Sequence, residues 1–411
     1  MRKIIKITLI ILILILCLST LTGCYDASGI ENQAYVIALG IDKGDLNKLK
    51  LSLQITSLTS SESSSSGGGS SQYSQASVIS VDCATVDEGI SLINSYISKK
   101  VNLSHCKALI ISEELAYDGV SEYIFTFANN LEIRPNSHVL ISKCSANDFL
   151  KNFEPSLESI SARYYELILN STSYAGFTEN IYLYNFYEDI LSTTKEASAI
   201  LVNLNDKSNH KSSSDTDSIN GNFLAGETPI ESQSKNEAMG IAIFSKDKLV
   251  GELNNLETLC HLIVCNKLDT ATITVPSPLE HDKNISLSIS LYNKTSHNVD
   301  LVNGFPFITC NAHIAATVST MDYKIDLSNK ENLESIEEAL SEYLTENIYE
   351  YLYKTSKDFE ADIAGFGKSV IPKYLTWKSW KNSDWLGNYK NAIFKVNVKA
   401  TVESGYLYTK I

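Results

Sequence analysis

The sequence predicts an α+β protein built from several mixed α/β domains, with a C-terminal antiparallel sheet packed against one long helix. Short apolar runs alternate with helical periodicity in the first half of the chain, and strands with one polar face dominate the last third. A single long amphipathic segment lies between two of those strands. Apolar residues make up 44% of the 411 residues and charged residues 20%, which excludes collagen-like, wholly disordered and multi-span membrane proteins.

The first residues follow a pattern typical of bacterial export signals. Three basic residues precede a twelve-residue apolar run from Ile7 to Leu18, and Leu21 to Cys24 reads L-T-G-C, a lipobox. We therefore expect residues 1–23 to be a lipoprotein signal peptide and Cys24 to carry a diacylglyceryl group. A transmembrane anchor is the alternative, but an eighteen-residue stretch has to include Lys6, and about 20 apolar residues are needed to span a bilayer.

The charge of the chain bears on its partners. The formal net charge of −14 disfavours nucleic acid, because an acidic surface repels phosphate backbones. Loss of the signal would remove three positive charges and leave −17. An acidic body gains nothing from anionic headgroups, so we expect the lipid to hold the protein at the membrane, with the folded part outside the cytoplasm.

The N-terminal domain is predicted over 24–200, because strands and helices follow one another in a β-α-β-α-β order. Thr85 is a suitable N-cap for the first of its helices. A Ser- and Gly-rich tract over 57–77 cannot bury apolar surface, so we expect a flexible loop between two strands there. The predicted strands are 35–41, 49–55, 78–81, 108–111, 137–141 and 198–204, and the predicted helices are 85–99, 120–129, 146–153, 156–169 and 178–192.

A middle domain is predicted over 201–275, with a polar linker at 206–235, and a C-terminal domain over 276–411. Three segments of the C-terminal domain alternate apolar and polar residues, which indicates strands with one wet face, as in an antiparallel sheet. Between the last two lies the long helix, for which Ser328 and Glu331 form a capping box. Its apolar stripe consists of Leu333, Ile336, Leu340, Leu344, Ile348 and Leu352.

The sequence predicts no catalytic, cofactor-binding or metal site, and we expect a protein that is not an enzyme. Phe366 to Ser369 resembles the end of a phosphate-binding loop, but Asp362 stands where that motif requires its first Gly. The glutamates of the long helix lie along a line, which indicates a solvated face, whereas calcium ligands converge on a point. Of eight cysteines, six remain after the signal and Cys24 are set aside. Buried free thiols are favoured over disulfides, because a chain of this length needs no covalent staples.

All three tryptophans of the chain lie close together in the sequence. They are Trp377, Trp380 and Trp385, interleaved with Lys378 and Lys381. One interpretation is an aromatic cluster buried under a loop. The other is a partner surface or a membrane-interface surface, since aromatic side chains concentrate at both. The three tryptophans are therefore the candidate binding surface.

Several segments together resemble the Ger(x)C family, the C-subunit lipoproteins of spore nutrient-germinant receptors. Residues 23–26 are similar to the family pattern Gly-Cys-Trp-Asp, except that Tyr25 replaces the Trp. The match covers nearly the whole chain after the signal, in the order of the family. The other segments that carry it are AYVIALGID at 34–42, the helix at 86–100 with the strand at 107–111, GIAIFSKDKLVGELNNLE at 240–257, and DIAGFG at 362–367 followed by Trp377, Trp380 and Gly405.

The resemblance implies a non-enzymatic receptor subunit of three mixed α/β domains. It implies a tether through diacylglyceryl-Cys24 to the outer face of the spore's inner membrane. It also implies two partners, the A- and B-type integral-membrane subunits of the receptor. It transfers no ligand site to particular residues, and it does not indicate which nutrient is sensed.

A solute-binding lipoprotein of a membrane importer is the alternative function. It would share the anchor and the size of the chain. It would also show two lobes wound around parallel sheets, which the alternating C-terminal strands disfavour. Neighbouring genes for a permease and an ATPase would favour the importer, and genes for membrane subunits would favour the receptor.

Overall fold

The structure, a computed structural model, is built on two β-sheets that pack with helices. It describes residues 1–19, 29–56, 76–153, 163, 165–166, 173–206, 219–323 and 325–403. The mixed α/β class predicted from the sequence is confirmed. Much of the predicted Ser/Gly loop at 57–77, part of the linker at 206–235 and most of the predicted helix at 156–169 lie outside the described residues.

Each helix and strand that was predicted wholly within the described residues is present, with different ends, and further elements are present that were not predicted. The helices are α1 Arg2–Ser19, α2 Val86–Tyr96, α3 Glu113–Asp118, α4 Ser121–Asn129, α5 Ala146–Lys151, α6 Leu183–Leu191, α7 Asn255–Val264, α8 Lys330–Lys357, α9 Gly367–Val370, α10 Trp377–Ser383 and α11 Trp385–Asn388. The strands are β1 Gln33–Lys43, β2 Leu49–Ile55, β3 Ser77–Cys83, β4 Lys100–Asn102, β5 Ala108–Ser112, β6 His138–Ser142, β7 Ser198–Leu204, β8 Asn236–Ser245, β9 Lys248–Leu253, β10 Ala271–Pro276, β11 Asn284–Val302, β12 Phe305–Met321 and β13 Ile393–Glu403.

The first sheet has a parallel centre and antiparallel edges. Its strand order is β3-β2-β1-β5-β6-β7-β8-β9, and the short β4 pairs with the start of β1. Strands β1, β5, β6 and β7 run parallel, and each is mostly or wholly buried. Burial on both faces explains why these strands read as continuous apolar runs rather than as alternating patterns.

The second sheet has the order β10-β11-β12-β13 and carries the long helix on one face. Strands β11 and β12 are antiparallel neighbours, as predicted, and β10, which was not predicted, pairs antiparallel with β11. Strand β13 runs parallel to β12, so the prediction of a purely antiparallel C-terminal sheet is wrong for this pair. The reason is the connection: α8 crosses from the end of β12 back to the start of β13, and a crossover helix of this kind joins parallel strands. The alternation of apolar and polar residues indicates that one face of a strand is exposed to solvent, but it does not indicate the direction of the strand.

The long helix α8 begins one residue later than the capping box predicted. The side chain of Asn329 is the N-cap and accepts the backbone N–H of Glu331 at 3.0 Å, whereas Ser328 donates its hydroxyl to Asp326. The predicted stripe is otherwise confirmed, because its side chains from Ile336 to Leu352 are 0% exposed and Leu333 is half-buried. Burial of this stripe against the sheet supplies most of the stability of such a helix.

The strands of the segment 201–275, for which the sequence predicted a middle domain, divide between the two sheets. The end of β7, together with β8 and β9, continues the first sheet, and β10 opens the second. Strand β8 is buried on both faces: Ala242 and Phe244 belong to the first hydrophobic core, and Ile241 and Ile243 to the second. The two cores therefore meet at one strand. How the chain divides into independently folding domains stays a prediction.

Helix α1 lies apart from both hydrophobic cores. Its large apolar side chains from Ile4 to Ile15 are each more than half exposed. No helix in the described ranges is both long and apolar enough to cross a membrane.

Candidate functional site

The structure separates the residues that the sequence singled out. Cys24 lies outside the described residues. Trp377 is 57% exposed, whereas Trp380 and Trp385 are only 2% and 4% exposed. The proposal of one surface formed by all three tryptophans therefore needs correction for Trp380 and Trp385. These two indoles stack on each other, with ring centroids 6.5 Å apart, inside the second core.

The two buried indoles bind polar groups that tie the C-terminal helices to the rest of the molecule. The indole N–H of Trp380 donates to the hydroxyl of Thr193 at 3.0 Å, across to the loop that precedes β7. The indole N–H of Trp385 donates to Oδ2 of Asp362 at 2.8 Å. A buried indole requires such an acceptor, because an unpaired N–H away from water costs about 1–3 kcal/mol.

Asp362, the first residue of the DIAGFG segment, is a fully buried carboxylate. Its Oδ1 accepts the backbone N–H groups of Gly365 at 2.8 Å and Phe366 at 3.1 Å, and its Oδ2 accepts that of Gly367 at 3.0 Å. Burial raises the pKa of Asp362 above its usual value, although these bonds and the Trp385 bond act in the opposite direction. The segment is thus a loop that folds around the carboxylate of its own first residue. The role of Asp362 is therefore structural.

Gly367 explains why this loop contains glycine. A Cβ at this position would lie 2.5 Å from the carbonyl oxygen of Thr194 and 2.7 Å from the ring of Trp385. The loop also contacts the segment before β7 directly, because the N–H of Glu196 donates to the carbonyl oxygen of Asp362 at 2.9 Å. The DIAGFG segment therefore lies at the junction between the first sheet and the C-terminal helices.

A second buried polar cluster was not predicted from the sequence. His261 of α7 lies between Tyr351 of α8, whose hydroxyl is 2.7 Å from Nδ1, and Glu179, whose Oε2 is 2.9 Å from Nε2. Lys267 forms an ion pair with the other oxygen of Glu179, and Sγ of Cys265 lies 3.7 Å from Nδ1 of His261. These residues are scattered along the chain and have no shared motif, so no signal in the sequence could have found the cluster.

The charges of this cluster hold one another in place. Burial opposes ionisation of Glu179, but the charges of His261 and Lys267 outweigh it and hold its pKa well below the usual value. Burial likewise disfavours the charged form of His261, but Cys265 and Glu179 outweigh it and raise its pKa to about 9. The side chains of His261 and Glu179 are 1% and 3% exposed, so no substrate reaches them in this structure. The cluster is a buried ionic bridge that joins the segment around Glu179 to helices α7 and α8.

A polar crevice lies where the parallel strands of the first sheet end. It has a volume of about 370 Å³, and its lining includes Asp42, Lys43, Ser112, Lys143 and Asn147. The carboxylate of Asp42 accepts the backbone N–H groups of Ala146 at 2.6 Å and Asn147 at 2.9 Å, so its oxygens hold the start of α5. Burial raises the pKa of Asp42 above its usual value. The Gly-Ile-Asp sequence near the end of β1 thus has a structural explanation.

The ion pairs of the crevice neutralise most of its lysines. Lys43 pairs with Asp118 at 2.8 Å, and Lys143 pairs with Glu252 at 2.5 Å. Within the described part of the chain, no group of three or more His, Cys, Asp or Glu side chains is arranged to hold a metal ion. The six cysteines from Cys83 to Cys310 are free thiols, as the sequence favoured.

Comparison with known proteins gives two family matches and two full-length relatives. The family described as the spore germination protein N-terminal domain matches residues 26–204, and the family described as spore germination B3/GerAC-like, C-terminal, matches residues 239–405. The candidate spore germination protein YfkR of Bacillus subtilis (strain 168) is 24% identical over 399 residues, which cover 96% of each chain. Spore germination protein KC of the same organism is 22% identical over 399 residues, which cover 95% of this chain and 94% of that protein.

One solved structure is similar over most of the chain. The crystal structure of the GerBC protein matches with a TM-score of 0.49 and 15% sequence identity, and the match covers 91% of this chain and 99% of that one.

Proposed function

The chain belongs to the Ger(x)C family of spore germination proteins, and on this premise we propose that it is the C subunit of a spore nutrient-germinant receptor. The observation that carries the proposal is that both family halves match in order over most of the chain, with two relatives aligned nearly end to end. The resemblance noted in the sequence motifs is confirmed. In this role the subunit is not an enzyme, and its buried carboxylates and histidine maintain its shape.

The proposal includes a lipid anchor at Cys24 and removal of residues 1–23. The lipobox at 21–24 supports it, and so do the exposed apolar side chains of α1, which pack into neither hydrophobic core. Eight residues, 25–32, separate Cys24 from the first strand, which begins at Gln33. At about 3.5 Å per residue, a segment of this length would hold the folded part within about 30 Å of the bilayer.

The proposed partners are the A- and B-type integral-membrane subunits of the receptor, and the proposed location is the outer face of the spore's inner membrane. Family membership supports both. The importer alternative gains no support, because the second sheet has mainly antiparallel neighbours where a second parallel-sheet lobe was expected.

The test is nutrient-triggered germination of spores that carry Cys24→Ala in a strain without other germinant receptors. We expect the loss of optical density after nutrient addition to slow by at least about tenfold, because the subunit no longer stays at the membrane. Cys144→Ala is the matched control, since it removes another thiol from the folded part, and its spores should respond normally. A trigger that bypasses nutrient receptors should act equally on all strains. A normal nutrient response in Cys24→Ala spores would contradict the proposed anchor.

A further inference from the structure

The last part of the chain is basic although the protein is acidic. Between Gly367 and Val402 there are seven lysines and one aspartate, a net charge of +6 in a chain of −14. All seven lysines are exposed: Lys368, Lys373, Lys378, Lys381, Lys390, Lys395 and Lys399. Only Lys373 and Lys390 have an acidic partner within ion-pair distance among the described residues. The net charge of the whole protein therefore hides a basic region.

Large apolar side chains are exposed in the same region. Leu375 is 101% exposed and Trp377 is 57% exposed, and Nζ of Lys381 lies 5.8 Å from the centroid of the Trp377 ring. Trp377 is the first residue of α10, whose cap is closed by Thr376 and Ser379. The backbone that presents Trp377 is thus held in place, and the indole is directed away from the core that encloses the other two tryptophans.

The loop that carries these residues is fastened to one end of the second sheet. Nζ of Lys373 lies 3.0 Å from Oδ1 of Asp300, near the end of β11. Asp300 is in register with Phe307 of β12, and Phe307 with Ile393 of β13. Leu375 and Trp377 follow Lys373 directly along the chain. The loop, the β11–β12 hairpin and the start of β13 therefore meet at one end of the sheet.

The hairpin at this end also exposes apolar side chains. Asn303 and Gly304 form its turn, with φ angles of 54° and 85°. Val302 and Phe305 flank the turn and are 55% and 51% exposed, and Ile393 is 58% exposed. We name this region the apolar end of the second sheet. It comprises Val302, Phe305, Leu375, Trp377 and Ile393, with a rim of Lys373, Lys378, Lys381, Lys390 and Lys395.

We propose that the apolar end of the second sheet docks onto a bilayer of anionic lipids, with the lysines at the headgroups and Trp377 at the interface. Exposed apolar patches of this kind mark protein or membrane contacts. The basic residues of the rim are all lysine, and two of them pair with the acidic Asp300 and Glu360. The absence of arginine among these basic residues favours the membrane, because protein interfaces are enriched in arginine and depleted in lysine. Tryptophan, like tyrosine, concentrates at membrane–water interfaces, and clustered lysines are attracted by anionic leaflets.

The proposal changes the expectation drawn from net charge alone. An acidic body would be repelled by anionic lipid in every orientation, but a body with one basic, apolar end is held in one orientation. The docking extends the proposed lipid anchor by a second contact that would fix which face of the subunit is turned to the membrane. A basic patch together with one lipid anchor is a combination that gives stable attachment.

The experiment uses the chain lipidated at Cys24, without residues 1–23, in phosphatidylcholine vesicles with and without phosphatidylglycerol, and brominated lipids that quench tryptophan. The difference in quenching between the natural chain and Trp377→Phe isolates Trp377, because Trp380 and Trp385 are buried. In both kinds of vesicle the chain is anchored in the same way, through the proposed diacylglyceryl group on Cys24, so any difference between the vesicles reports on the second contact. We expect quenching of Trp377 in the anionic vesicles only, and its loss in high salt.

A second experiment reverses the charge of two lysines in the rim. In the double variant Lys378→Glu, Lys381→Glu we expect the ratio of docked to undocked protein on anionic vesicles to fall by at least about tenfold. The matched control, Lys99→Glu with Lys100→Glu, makes the same charge change on the first sheet and should dock normally. Equal quenching of Trp377 in neutral and anionic vesicles, or none in either, would overturn the proposal. Absence of quenching together with slow germination of the double variant would instead assign this end to a protein partner.

Discussion

Replacing Glu179 by glutamine removes the negative charge that faces both His261 and Lys267 in the buried ionic bridge. Breaking a buried ion pair by removing one partner costs about 3–5 kcal/mol, because it leaves an uncompensated charge away from water. The side chain of Lys267 is 43% exposed and keeps contact with solvent, so we expect the lower end, about 3 kcal/mol. For a folding unit of about 150–250 residues that corresponds to a fall of about 6–12 °C in Tm.

The effect of Glu179→Gln should depend on pH in a defined direction. The pKa of His261 rises on folding from 6.5 to about 9, so its contribution is complete below pH 6.5 and is lost as the pH rises through 9. The pKa of Glu179 is lowered on folding, so its contribution is complete above its unfolded value of 4.5 and is lost as the pH falls. The two windows overlap from about pH 5 to 6.5, where the difference in Tm between the natural chain and Glu179→Gln should be largest.

The assay is thermal unfolding followed by circular dichroism at a series of pH values from 5 to about 9.5. Glu334→Gln is the matched control, because it makes the same change in the exposed ion pair with Lys330 and should alter stability by less than about 1 kcal/mol. A difference in Tm for Glu179→Gln that stays constant across this pH range would refute the assigned pKa of His261. A difference no larger than that of the control would refute the bridge itself.

Three further predictions concern the core and its thiols. Gly367→Ala should destabilise the protein by about 1–3 kcal/mol in urea unfolding, because its Cβ would collide with the carbonyl oxygen of Thr194; an unchanged midpoint would contradict this packing. Leu344→Ala should cost about 2–5 kcal/mol, whereas Glu346→Ala on the outer part of the same helix should change stability by less than about 0.5 kcal/mol, and equal midpoints would argue against the assigned buried stripe. Burial raises the pKa of Cys106 to about 12, so this thiol should react with a disulfide reagent at pH 8 only after unfolding, as peptide mapping can show.

Local patterns in the sequence were sufficient for most of the secondary structure. Thr85 caps α2 as predicted, because its hydroxyl accepts the N–H of Glu88 at 3.2 Å, and this interaction spans only three residues. The stripe of α8 was predictable because a helix that covers a sheet must turn one side to it. The cap of α8 was misplaced by one residue, since Ser328 and Asn329 are both good caps and the contact of Ser328 with Asp326 decided between them.

The polar clusters could not be predicted, because their members meet only through the fold. Glu179 and His261 are 82 residues apart, and their contact depends on how α7 packs beneath the first sheet. The same holds for Trp380 and Trp385: the sequence showed three aromatic residues near one another, but not that two of them would point inward. Their burial follows from acceptors on distant segments, the hydroxyl of Thr193 and the carboxylate of Asp362.

The sequence by itself predicted an export signal with a lipobox. It also determined the mixed α/β class, the buried stripe of the long helix and the family, because each depends on residues close together in the chain. Only the tertiary structure decided the parallel pairing of β12 with β13, the strand that two cores share and the ionic bridge around His261. It also gathered lysines and apolar side chains from three strands and a loop at one end of the second sheet. The physical reason is that strand direction, burial and clustering of charge depend on contacts between residues far apart in sequence, which no local pattern encodes.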